Sequence, residues 1–63
     1  MEKMTIKQWR QVRGLTQKQL ADQAGIKFST YHSKEDGRRA WKATEVKNIA
    51  KVLGISIESQ LEY

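Results

Sequence analysis

The sequence predicts an all-α fold, a compact bundle of about five short helices, and three observations carry that reading. Gly14, Gly25, Gly37 and Gly54 each close a stretch of helical pattern and precede a new start signal. Proline is absent, and no segment sustains the apolar–polar alternation of a half-buried strand. Val46, Ile49, Ala50 and Leu53 fall at i, i+3, i+4 and i+7, one apolar stripe opposite Glu45, Lys47, Asn48 and Lys51.

The elements follow in order. Thr5 with Gln8 fits a capping box and opens a helix over 5–13. Its inward stripe would be Ile6, Trp9, Arg10 and Arg13, with arginines where apolar residues would be cheaper. Thr16 with Gln19 fits a second capping box and opens a helix over 17–24. Gly25 supplies the left-handed residue that ends it, and Ile26 turns the chain inward. A helix over 28–36 follows with Tyr31 inside, crossing the previous one where Ala21 is small. Lys27 is no side-chain cap, so this helix is expected to begin nearer Ser29. Val46 to Leu53 belong to a helix over 44–53, and Ile55 anchors the next connection. Ser56 reads as the N-cap of a last helix over 56–61, with Glu58 in its first turn and Ile57 and Leu61 inward. The pair at about 17–36 has the form of a helix-turn-helix, whose second helix typically enters the DNA major groove.

Size and charge narrow the function. The 63 residues leave room for a single domain over 1–63. Twelve Lys and Arg against seven Asp and Glu give a net charge of +5, which favours a polyanionic partner, nucleic acid before membrane. No helix joins a basic face to a large hydrophobic one, so no membrane role is expected. With no apolar run near the roughly 20 residues of a membrane span and no signal-peptide pattern, the expected location is cytoplasmic. The absence of cysteine fits a reducing compartment and rules out disulfides. His32 is the lone histidine, so no metal is expected. No phosphate-cradling loop or working carboxylate pair is visible, Glu35 and Asp36 being sequence neighbours that do not face a common point. Hence no catalytic residues, no cofactor and no small-molecule substrate are expected.

Five segments with their spacings intact extend this reading: IKQWR at 6–10, GLTQKQLA at 14–21, AGI at 24–26, STYHSKEDG at 29–37 and IAKVLGIS at 49–56. Together they resemble the phage repressor and Cro (Xre-like) helix-turn-helix family. The resemblance implies a bacterial or phage-encoded DNA-binding transcription regulator, with a repressor expected. Its partner would be double-stranded DNA, bound as a homodimer on a palindromic operator, with the dimer surface near the fifth helix and the loop between the third and fourth.

Residue roles follow from the same likeness. Gln17 would hold the DNA backbone and brace the recognition helix. Lys27, Phe28, Ser29, His32 and Ser33 would face the groove, Lys27 towards phosphate. Phe28 has two readings, a contact for thymine methyl groups or a core residue at the helix start. Arg38, Arg39 and Lys42 would lie on the sugar-phosphate backbone. Trp41 is open between packing on the fourth helix and lying along the DNA. Arg10 and Glu35 would form a largely buried structural ion pair, which explains the odd first helix. Three departures from the family pattern stand out: Lys34 replaces a large aliphatic residue, so that either its methylene stem covers the same surface or the recognition helix is loosely held, Lys27 replaces a serine or threonine cap, and Ala24 is smaller than the usual branched residue. The two lysines keep a second function in view, a protein-interaction module, favoured if Phe28 and Trp41 form an exposed apolar patch.

Overall fold

Thr5 and Thr16 start their helices in the same way. Each hydroxyl accepts from the backbone N–H three residues on, and the side chain of Gln8 or Gln19 accepts the threonine's own N–H in return. The computed structural model describes residues 3–63. They form five helices: α1 Ile6–Val12, α2 Gln17–Ala24, α3 Phe28–Glu35, α4 Ala43–Leu53 and α5 Ile57–Gln60. The architecture is all-α.

Several helix ends differ from expectation, each for a local reason. Helix α3 begins at Phe28 rather than Ser29, with Lys27 in extended conformation at the N-cap and no side-chain bond there. Helix α4 starts one residue early because the Glu45 carboxylate accepts the Lys42 N–H at 2.8 Å. Ser56 occupies the N-cap of α5, but its hydroxyl makes no capping bond; instead the Gln60 side chain accepts the Ser56 N–H at 2.8 Å. Helix α5 stops at Gln60 because Leu61 turns extended and forms an isolated parallel bridge with Met4. In that bridge Met4 N–H donates to Gln60 O at 3.1 Å and Glu62 N–H donates to Met4 O at 2.9 Å.

The turn between α2 and α3 sets the placement of α3. Gly25 has φ +71°, where an L side chain would clash with its own backbone. That conformation lets Ile26 N–H reach back to Ala21 O at 2.8 Å and closes the end of α2.

Helix α2 packs against both α3 and α4, and α4 also carries α1 and α5. Leu20, Ala21, Tyr31 and Ile49 are wholly buried at the centre, joined by Ile6, Ala24, Val46, Leu53 and Leu61. Burial of a leucine or isoleucine of this kind stabilises by roughly 1.5–3 kcal/mol. Ala21 permits the close approach, since a larger side chain there would have to overpack the crossing.

Arg13, expected on the inward stripe, is instead exposed at the C-cap that ends α1, held there by the end of a neighbouring helix. Arg13 Nε donates to Leu53 O in the last turn of α4 at 2.9 Å, and its guanidinium lies 5.3 Å from the Trp9 ring centroid. Trp9 Nε1 donates to Gln60 O at 2.6 Å and fixes α1 to the end of α5. No helix among the described residues is long and apolar enough to cross a membrane.

Candidate nucleic-acid interface

Helix α3 has two distinct sides because Tyr31 is wholly buried, and residues four apart share a face. Away from Tyr31, Ser29 and His32 are exposed and Ser33 is half-buried, and Phe28, in the first turn, is exposed as well. Phe28 is 46% exposed, which overturns its reading as a core residue. Its ring sits beside the His32 ring, with centroids 6.1 Å apart and planes tilted by 32°. Ser33 is less free than the sequence suggests, because its hydroxyl already donates to Ser29 O at 3.0 Å. Lys27 is exposed just before the helix.

Behind this face lies Glu35. Arg10 grips its carboxylate in a fork, Nε to Oε2 at 3.1 Å and Nη2 to Oε1 at 3.0 Å, while Nη1 donates to Leu15 O at 2.8 Å. The Tyr31 hydroxyl donates to Oε2, and Gln17 Nε2 donates to Oε1 at 3.1 Å. The two charged side chains are 12% and 3% exposed. Burial pushes the Glu35 carboxyl up, but the bonds from Arg10, Tyr31 and Gln17 outweigh it and hold the group below the ordinary carboxylate value. The bond to Glu35 raises Arg10, and burial, with the bond to Glu35, raises Tyr31. Glu35 is therefore ionised at neutral pH and accepts four hydrogen bonds.

Gln17, the first residue of α2, links this buried group to the surface. Its Nε2 is committed to Glu35, and its Oε1 lies 3.1 Å from His32 Nδ1 on α3. The amide thus ties the start of α2 to the outer face of α3.

Lys34 overturns the expected loose hold. It is 4% exposed, and its ammonium pairs with Glu45 of α4, so a buried ion pair stands where an aliphatic contact is usual. Burial pushes the Glu45 carboxyl up, but Lys34 and the Lys42 N–H bring it below the ordinary range. Periodicity alone puts Glu45 on the solvated face of α4. No local signal announces a contact between positions 34 and 45, whereas Tyr31 and Glu35, four apart on one helix, could be paired from spacing alone.

The loop after α3 carries the remaining cations. Arg38 N–H donates to Ser33 O at 2.9 Å, and Arg38 Nε lies 3.2 Å from the Asp36 carboxylate, with both side chains largely in solvent. Arg39 and Lys42 are exposed. Trp41 is half-buried and packs edge-on to Tyr31, with centroids 5.4 Å apart and planes at 62°. Trp41 is thus held against α3 and is not among the fully exposed aromatic side chains. Among the described residues no three His, Cys, Asp or Glu side chains gather where they could hold a metal ion.

A helix-turn-helix family model matches residues 6–60. No curated protein and no solved structure matches the chain. The match runs from the first residue of α1 to the last of α5 and so takes in every helix described above. The chain belongs to the Cro/C1-type (Xre-like) helix-turn-helix family of DNA-binding transcription regulators.

Proposed function

We propose that this protein is a repressor that binds a palindromic operator as a homodimer, each copy placing α3 in the major groove. The observation that carries the reading is the outer face of α3. Phe28, Ser29 and His32 are exposed there, with Lys27 before the helix and Arg38, Arg39 and Lys42 in the loop after it. In this reading Phe28, Ser29, His32 and Ser33 face base edges, Phe28 against thymine methyl groups. Gln17, Lys27, Arg38, Arg39 and Lys42 hold sugar-phosphate and set the register. Repression follows from occlusion of promoter DNA by the bound dimer. A single copy offers one short helix to the groove, and pairing two on adjacent half-sites is what gives such a small surface useful specificity.

The test is selection from a random duplex library at about 0.15 M salt. Enrichment of an inverted repeat, with half-sites about one helical turn apart, is the expected result. Retention of all sequences alike, abolished by added salt, would reduce the function to generic attraction by a basic surface.

A further inference from the structure

We propose that His32 determines specificity at one base pair, its Nε2 accepting a hydrogen bond from an exocyclic base amine, adenine N6 or cytosine N4, in the major groove. The proposal rests on the DNA-reading function above and deepens it. Its ground is a relay of three side chains that begins in the core.

The relay has a fixed direction. Glu35 is a carboxylate, so it only accepts, and the atom of Gln17 that faces Oε1 at 3.1 Å has to be the NH2 group. The Gln17 oxygen is then the atom 3.1 Å from His32 Nδ1. An oxygen and a bare ring nitrogen at that distance would repel, so Nδ1 carries the proton and donates. In the neutral ring Nε2 is left with its lone pair. The His32 side chain is exposed, and Nε2 has no hydrogen-bond partner among the described residues. Phe28 flanks the ring and narrows the directions it can take.

Base chemistry supplies the rest. In the major groove adenine and cytosine offer amine donors, whereas guanine N7 and O6 and thymine O4 are acceptors. A lone pair at Nε2 attracts the first group and repels the second. Without the relay the proton could sit on either ring nitrogen and the discrimination would disappear. Gln17 and Glu35 are therefore positioning residues for His32.

Two measurements on the untagged full chain test this. Long-range 1H–15N correlation near pH 8 shows which ring nitrogen is protonated, and with one histidine in the sequence the signal has one owner. The expected result is Nδ1–H in the free protein, with the proton redistributed towards Nε2 in Gln17→Met. Library selection is then run with the native chain and with His32→Lys, whose ammonium can only donate. The native chain should favour adenine or cytosine at one position of each half-site by on the order of tenfold, and His32→Lys should turn that position to guanine. Replacing the selected base by its analogue without the amine tells adenine from cytosine and should cost the same factor. A ring protonated at Nε2 in the free native chain overturns the proposal whatever the DNA result. A ring protonated at Nδ1, with base preferences unmoved by His32→Lys, overturns the base contact. Absence of any enriched sequence with the native chain overturns the DNA-reading function itself, and the base contact with it.

Discussion

The Lys34 ammonium and the Glu45 carboxylate form the ion pair that joins α3 to α4, and the two ends of that pair are unequally buried. The Lys34 side chain is 3% exposed and that of Glu45 is 15% exposed. Glu45 also holds the Lys42 N–H, so it keeps a partner if the lysine is removed. Lys34 has no such second acceptor among the described residues.

The two truncations should therefore differ. Glu45→Ala strands a buried ammonium and is expected to cost about 3–5 kcal/mol. Lys34→Met keeps the apolar stem, removes the buried charge, and should cost under about 1.5 kcal/mol. Urea melts of both variants decide the matter, and equal losses would contradict the asymmetry.

The Arg10–Glu35 pair calls for a series rather than a single variant. Arg10→Met leaves a buried carboxylate and should cost about 3–5 kcal/mol. Changing both residues to methionine recovers only part of this, because the Tyr31 hydroxyl then loses its acceptor. Adding Tyr31→Phe should recover more. Simple additivity of the three losses in thermal melts would show that they do not act as one network.

Acid should unfold the protein from this same region. The folded carboxyls of Glu35 and Glu45 lie below their ordinary value of 4.5. Protons therefore bind the unfolded chain first, and the stability these groups contribute is full above that value and lost as pH falls through the folded ones. Melting temperature followed from pH 7 downwards should hold level and then fall below about pH 4.5. Glu35→Gln, less stable at neutral pH, should show a shallower acid limb. A limb as steep as that of the native chain would place the linkage elsewhere.

The loop cations should act on all DNA alike. Neutralising Arg38, Arg39 and Lys42 together is expected to flatten the slope of log affinity against log salt by about 2–3, near 0.9 for each phosphate left without its cation. Asp36→Asn has the opposite expectation. It releases Arg38 from its exposed pair, which should raise affinity for any duplex by up to about fivefold at low salt. Fluorescence anisotropy against salt measures both, and a change in base preference instead of slope would refute the assignment.

Which parts of this molecule can be read from the sequence follows the range of the interactions involved. The capping boxes at Thr5 and Thr16 and the glycine stop at Gly25 lie within a few residues, and the stripe from Val46 to Leu53 within two turns; the helices they imply are the helices found. Resemblance, not pattern, brings Arg10 to Glu35 across 25 positions. Where neither local chemistry nor likeness speaks, the sequence is silent. Lys34 looks like a defect because its acceptor lies on another helix, and Arg13 looks misplaced because it meets a carbonyl 40 residues away. At the interface, the exposure of Phe28 depends on where α3 begins, which the weak cap at Lys27 leaves undecided. The contact between Gln17 Oε1 and His32 Nδ1 needs the turn at Gly25 to bring two helices together, so it belongs to the tertiary structure alone.

The saturated carboxylate of Glu35 also bears on how such a regulator can change over generations. Ser29 makes no side-chain contact with that network, so a lineage could alter position 29 and drift from one operator to another with the scaffold intact, whereas Phe28 lies against the His32 ring. Positions 17 and 32 are tethered to a group that four donors share. A new residue at 17 takes one donor from the buried carboxylate and frees the ring it holds. In the proposed DNA-reading function, the outer face of α3 is thereby divided into a letter free to vary, at 29, and a letter that inherits the history of the core, at 32.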